Sequence, residues 1–277
     1  MNRIDAIFAS LRRDQRPALM PFICAGHPTP GATPSILRAL DAAGASAIEI
    51  GFPFSDPIAD GPVIAAAMHE ALQQGVTPAS TLASVAEARS AISAGLIAMV
   101  SVSIVHRIGP EKFARDLAAA GFDGVILPDA PAEEADPLIA PFRAAGLTAT
   151  LLIAPTTPAH RIAAIVQRCS GFVYLLSRVG ITGAGASPHT DPAGLAPLAE
   201  RVAAVRALTD LPIACGFGIS TADQVAEVVG PGGADAAIVG SALVREISAA
   251  HRQGRDPAAA AGALCTQLAQ GLAAASK

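Results

Sequence analysis

Eight short, apolar, β-branched runs recur along the chain with helical stretches between them: "ALMPFICAG", "SAIEIGFP", "LIAMVSVSI", "DGVILPD", "TATLLIAP", "FVYLLS", "PIACGFG" and "DAAIVGSA". The segments between them, among them "EKFARDLAAAG", "AEEADPLIAPFRAAG" and "ADQVAEVVGPGG", carry apolar faces at helical spacing and end in glycine, the common stop of a helix. Strict alternation of strand and helix implies a parallel sheet. Eight such units suit closure into a (β/α)8 TIM barrel, read as one domain over residues 1–277. The first segment, "MNRIDAIFASLRRDQ", has helical apolar spacing at Ile4, Ile7 and Leu11 and is left to cover the bottom of the barrel. An open doubly wound sheet is the competing architecture, and eight repeats suit it less well than closure.

Charge and composition narrow the partners. Lys+Arg 19 against Asp+Glu 23 gives a formal net charge of −4, so there is no basic field to collect nucleic acid or an anionic membrane surface. The longest apolar stretch, "LIAMVSVSIV", is about half the roughly 20 residues of a membrane span. The N-terminal segment has no apolar signal core, and Cys24, Cys169, Cys215 and Cys265 are scattered without metal or redox spacing. The expectation is a cytoplasmic protein with reduced thiols that handles a small molecule.

In such a barrel the chemistry sits at the C-terminal ends of the strands. Along "SAIEIG" the side chains alternate, which aims Glu49 inward near that end of the second strand. A carboxylate withdrawn from water favours its neutral form and suits a general acid or base. The competing reading is a structural glutamate tied to a backbone amide or a buried arginine. The following loop brings Asp56 and Asp60 to the same mouth, with Pro53, Pro57 and Pro62 restricting its shape. Both aspartates also suit plain turn chemistry.

Glycine-bearing loops follow the last three strands: "SRVGITGAGAS", "GFGIST" and "GSALV". Glycine admits a ligand close to the backbone and a helix start attracts anions, so Gly218, Gly240 and Ser241 suit a phosphate. Helix capping by Ser241 and tight turns at the glycines are the alternative. The loop "SRVGITGAGAS" has the length of a lid. Lysine occurs only at Lys112 and Lys277, neither on a strand, which disfavours Schiff-base chemistry and a chain-held pyridoxal phosphate. The six histidines show no paired metal-ligand spacing, and no metal site is expected.

"IEIGFPFSDPIADGP", "LLSRVGITGAGA", "ACGFGIS" and "VGSALV", in this order, resemble the tryptophan synthase α subunit, and the resemblance extends over essentially the whole chain. It implies a lyase that cleaves indole-3-glycerol phosphate to indole and glyceraldehyde 3-phosphate and passes indole to a β subunit in an α2β2 heterotetramer. Pyridoxal phosphate is implied only in the β partner, and no cofactor in this chain. The resemblance makes Glu49 the acid/base at the ring carbon and glycerol hydroxyl, and Asp60 the partner of the indole N–H. It places Phe22, Tyr174 and Phe217 in the pocket wall, Gly183, Gly218, Gly240 and Ser241 at the phosphate, and Thr182 on the lid. Pro53, Asp56 and Ser103 are implied at the partner interface. Ser101 and Ser103, read here on the third strand, stand where the family has a tyrosine and an asparagine. The alternatives are a stand-alone indole-releasing lyase, a weakly active allosteric partner of a β subunit, or another phosphate-binding isomerase of the same barrel type.

Overall fold

The structure is a computed structural model that describes residues 1–57, 60–176, 197–216 and 218–275. Helix α1 (Arg3–Arg13) precedes β1 (Ala18–Cys24) and α2 (Thr33–Ala42); β2 (Ala47–Gly51) leads to α3 (Pro62–Gln73) and α4 (Pro78–Arg89). Strand β3 (Gly95–Met99) is followed by α5 (Val102–Ile108) and α6 (Pro110–Ala120), and β4 (Gly124–Ile126) by α7 (Ala135–Ala144). The fifth run forms β5 (Thr148–Thr150) and β6 (Leu152–Ile153) before α8 (Ala159–Arg168). The chain finishes with β7 (Val173–Leu176), α9 (Leu198–Arg206), β8 (Ile213–Gly216), α10 (Ala222–Val229), β9 (Ala236–Val239), α11 (Ser241–Arg252) and α12 (Pro257–Ala275).

All pairings are parallel, in the order β5-β4-β3-β2-β1-β9-β8-β7-β6. The two ends of that order, β5 and β6, are consecutive pieces of one run. The first piece bonds to β4 and the second to β7, so the ring closes through this strand and the open doubly wound alternative falls.

The buried strand residues form two sets, as the two faces of each strand require. Leu19, Ile23, Ile48, Ile50, Leu96 and Ala98 pack beneath the helices. Met20, Phe22, Ala47, Ile97, Met99 and Tyr174 fill the barrel. Burying each Leu or Ile contributes roughly 2 kcal/mol, so both layers hold the ring. Register aligns Phe22, Glu49, Ile97 and Gly124 around the inner wall.

The bottom is closed by α1, as its apolar spacing predicts. Ile4 is fully buried, and a Cβ at Gly95, where β3 begins, would collide with it. Asn2 caps the helix by accepting from the Ile4 N–H at 2.8 Å, and its amide donates to the carbonyls of Asp123 and Gly146. At the other end of the chain α12 packs against α2, α10 and α11. Gly262 lies against Ala39 and Gly271 against Ala222, close approaches that leave no room for a side chain at Gly271.

The third run differs from the sequence reading. The strand ends at Met99, and the Ser101 hydroxyl caps α5, accepting from the Ser103 N–H at 3.2 Å. Asp129 reinforces the cap by accepting from Ser101 Oγ at 2.6 Å and from the Val102 N–H at 2.9 Å. Ser101 and Ser103 therefore belong to a helix N-terminus, where a serine hydroxyl satisfies an otherwise unbonded amide, and not to a strand.

Candidate active site

The C-terminal mouth of the barrel holds an open cavity of about 490 Å³. Glu49, Asp60, Phe22, Tyr174, Gly218, Gly240 and Ser241 all line it, so seven residues picked from the sequence meet at one place. Thr182, Gly183 and Phe217 lie outside the described residues. Asp56 is exposed and borders a neighbouring chamber, with its carboxylate accepting from Ser55 Oγ at 2.7 Å. Pro53 and Ser103 line neither space among the described residues.

Glu49 is fully buried, and neither carboxyl oxygen has a hydrogen-bond partner among the described residues. The structural alternative required an amide or an arginine at that carboxyl, and neither is there among the described residues. Burial alone pushes its pKa well above the ordinary glutamate value, because a charge here would lose its water without compensation. Burial thus favours the protonated form of Glu49. In the unfolded chain the same group is ionised, so folding takes up a proton and stability falls as pH rises above the ordinary glutamate value of 4.5. Glu49→Gln abolishes that dependence. Above pH 4.5 the variant is expected to melt higher than the wild type, with the gap widening as pH rises and closing as pH falls back toward 4.5. Thermal melts across this range check it, and a variant that melts lower at every pH would contradict it.

Asp60 precedes the Gly61–Pro62 start of α3, and its N–H donates to the Pro57 carbonyl at 3.1 Å. Pro62 fixes the first helical position, which anchors the loop that carries Asp60. Partial burial lifts the Asp60 carboxyl to about 6. One cavity therefore holds a carboxylic acid and a group that ionises just below neutral pH, the separation of roles that acid/base chemistry needs. The Tyr174 phenol is also pushed up, by burial first and then by Glu49, so it stays neutral.

The sequence reading missed what makes room for the aromatic walls. A Cβ at Gly51 would lie 2.6 Å from the Phe22 ring, and one at Gly216 would lie 2.5 Å from the Tyr174 oxygen. It also missed Ile64, Met99, Pro128, Leu152 and Ile238 in the cavity wall. For Met99, Leu152 and Ile238 the available signal was an inward position on a strand, whereas Ile64 lies on α3 and Pro128 in the loop after β4, where strand alternation gives none.

Beyond β1 in the ring from Glu49, α11 presents its N-terminus to the same cavity. Gly240 is its cap residue and provides no side-chain bond, and Ser241 is the first helical residue, so Ser241 is not the helix cap. Gly218 has φ of +82°, a left-handed conformation that favours glycine. Glycine backbone and the positive end of the helix dipole meet at this part of the cavity, an arrangement that favours an anion. The loop after β1 is fixed to this helix through His27, whose Nε2 lies 2.7 Å from Ser248 Oγ.

A family model described as "Tryptophan synthase alpha chain" matches residues 8–273. The tryptophan synthase alpha chain of Solibacter usitatus is 44% identical over 89% of this chain and 90% of its own length. That of Rippkaea orientalis is 41% identical over 98% of both chains. Among solved structures, tryptophan synthase subunit alpha from Legionella pneumophila superposes with a TM-score of 0.87 at 35% identity, covering 99% of each chain. A Mycobacterium tuberculosis tryptophan synthase structure gives a TM-score of 0.85 at 36% identity over 98% of each chain. With its closed parallel barrel, its buried acid and relatives that match it end to end, the chain belongs to the tryptophan synthase alpha chain family, whose members are α subunits in tryptophan biosynthesis.

Proposed function

We propose that this chain cleaves indole-3-glycerol phosphate to indole and glyceraldehyde 3-phosphate with Glu49 and Asp60 as the acid/base pair. The observation that carries the reading is the buried carboxyl of Glu49, unpartnered among the described residues, in a cavity that a helix N-terminus also lines. The phosphate binds at Gly218, Gly240 and Ser241, which directs the indole toward the carboxylates. Protonated Glu49 delivers its proton to the ring carbon that bears the side chain. The positive charge that appears on the ring nitrogen is stabilised by ionised Asp60, which accepts the N–H. Glu49, now a carboxylate, takes the proton from the adjacent hydroxyl. The carbon–carbon bond breaks as the aldehyde forms, its electron pair returns to the ring to neutralise the nitrogen, and Glu49 ends protonated as it began. Phe22 and Tyr174 wall the ring; by resemblance Phe217 adds to that wall, Thr182 lies on the lid and Gly183 joins the phosphate site. Indole released from indole-3-glycerol phosphate by the purified chain tests the reading; no release, alone or with a β subunit, would refute it.

The pH profile follows from Asp60. Its carboxyl titrates near 6, and only the ionised form stabilises a cationic ring nitrogen. Activity is expected to fall below that pH and to be retained above it until Glu49 loses its proton. Measured as kcat/KM between about pH 5 and 8, the acid limb should lie near 6 and vanish in Asp60→Asn, with most of the rate.

The expected partner is a tryptophan synthase β subunit in an α2β2 assembly that holds the pyridoxal phosphate, with Pro53, Asp56 and Ser103 at the contact. No helix among the described residues is long and apolar enough to cross a membrane, in keeping with a cytoplasmic setting. Closure of the site by the partner excludes water and fixes Asp60, so cleavage is expected to rise about fivefold or more on titration with a β subunit from the same organism. Ser103 brings only a short hydroxyl to this contact. A flat titration, with complex formation established separately, would favour the stand-alone lyase.

A further inference from the structure

A second chamber, open to solvent and of about 350 Å³ with that open space included, adjoins the cavity and shares Asp60, Met99 and Pro128 with it. Its own walls include Phe52, Phe54, Val100, Ser101 and Asp129. These residues follow β2, β3 and β4, whereas Gly218, Gly240 and Ser241 follow β8 and β9 on the other side of β1 in the ring. A substrate held by its phosphate at α11 and by its nitrogen at Asp60 therefore directs the far edge of its ring at the chamber.

Ser101 is the smallest side chain in that wall. Its hydroxyl is held back on Asp129 at 2.6 Å, and Asp129 is in turn fixed by the Val102 N–H at 2.9 Å, so the residue does not reach into the space. The walls are otherwise aromatic and aliphatic, apart from the three carboxylates of Asp56, Asp60 and Asp129. Such a space takes an uncharged apolar group and rejects an anion.

We infer that this chamber, kept open by Ser101, admits apolar substituents on the benzo edge of the indole, so that the chain cleaves ring-substituted indole-3-glycerol phosphates as well as the parent. The inference rests on the lyase reading above. The chemistry is unchanged, because the substituent lies away from the ring carbon that Glu49 protonates and from the bond that breaks.

The test is kcat/KM for the parent and for substrates carrying methyl, bromine or carboxylate at each benzo carbon in turn. At least one methyl or bromo position is expected to run within about threefold of the parent in the wild type, and the carboxylates to be rejected. In Ser101→Tyr the ratio of substituted to parent kcat/KM should fall about tenfold or more, as expected when a pocket loses the space for one group. Ser101→Ala, which loses the cap but not the space, should keep the ratio. Rejection of every substituted substrate by the wild type would overturn the inference even if Ser101→Tyr failed to fold. So would an unchanged ratio in a folded Ser101→Tyr protein. If the wild type does not cleave the parent, it is the lyase reading that fails.

Discussion

Glu49→Gln is expected to leave the barrel folded and to lower indole release by about a thousandfold, a loss near 4 kcal/mol of transition-state stabilisation. The amide fills the same volume on the inner face of β2, between Phe22 and Ile97 in register, so packing is preserved. It cannot give a proton to the ring or take one from the hydroxyl, and no other described residue is placed to do both. Tyr174 is kept neutral chiefly by burial, so it does not substitute as a base. Retention of more than about a tenth of wild-type activity, less than roughly 1.4 kcal/mol, would remove Glu49 from the chemistry. Far-UV circular dichroism and the thermal midpoint measured beside the rate separate lost chemistry from lost fold.

Gly240→Asp is expected to raise KM for the phosphorylated substrate about a hundredfold while the protein remains folded. A Cβ at Gly240 meets Ile64 and Phe22 at 3.5 and 3.6 Å, ordinary contacts that require no rearrangement. The new carboxylate sits at the helix terminus that faces the cavity, cancels the positive end of the dipole and repels the phosphate. At about 5 Å and an effective dielectric constant of about 20, one pair of like charges costs about 3 kcal/mol, or roughly a hundredfold in binding. An unchanged KM would put the phosphate elsewhere. Inorganic phosphate as a competitive inhibitor gives a second readout: its inhibition should weaken in the variant in proportion.

The alternation of apolar runs and helical segments was enough to specify the closed barrel, because strands buried on both faces must be covered by helices and eight units close without an edge. The inward aim of Glu49 was legible for a related reason: strand alternation fixes its direction once Ile48 and Ile50 are assigned to the helical layer. Its lack of a partner was not legible, since that depends on every side chain the fold brings near it. The third run misled because "VSVSI" has strand composition, yet Asp129, nearly 30 residues away, supplies the bonds that cap a helix there. The fifth strand is divided because β5 pairs with β4 and β6 with β7, a consequence of closure that no local pattern records. Gly51 and Gly216 carry no chemistry of their own. Their role is the volume they leave to Phe22 and Tyr174, which is visible only when the strands are side by side.

The account depends most on Glu49 holding a proton in the folded protein at neutral pH. Infrared difference spectra of wild type against Glu49→Gln measure this directly, because a protonated carboxyl and a carboxylate absorb in separate regions and the former shifts in D2O. The prediction is a protonated-carboxyl band at neutral pH that is present in the wild type and absent from the variant, and that persists well above the ordinary glutamate value of 4.5. A wild type that shows only carboxylate at this position at neutral pH would contradict the account, since Glu49 could then not be the acid that starts the cleavage.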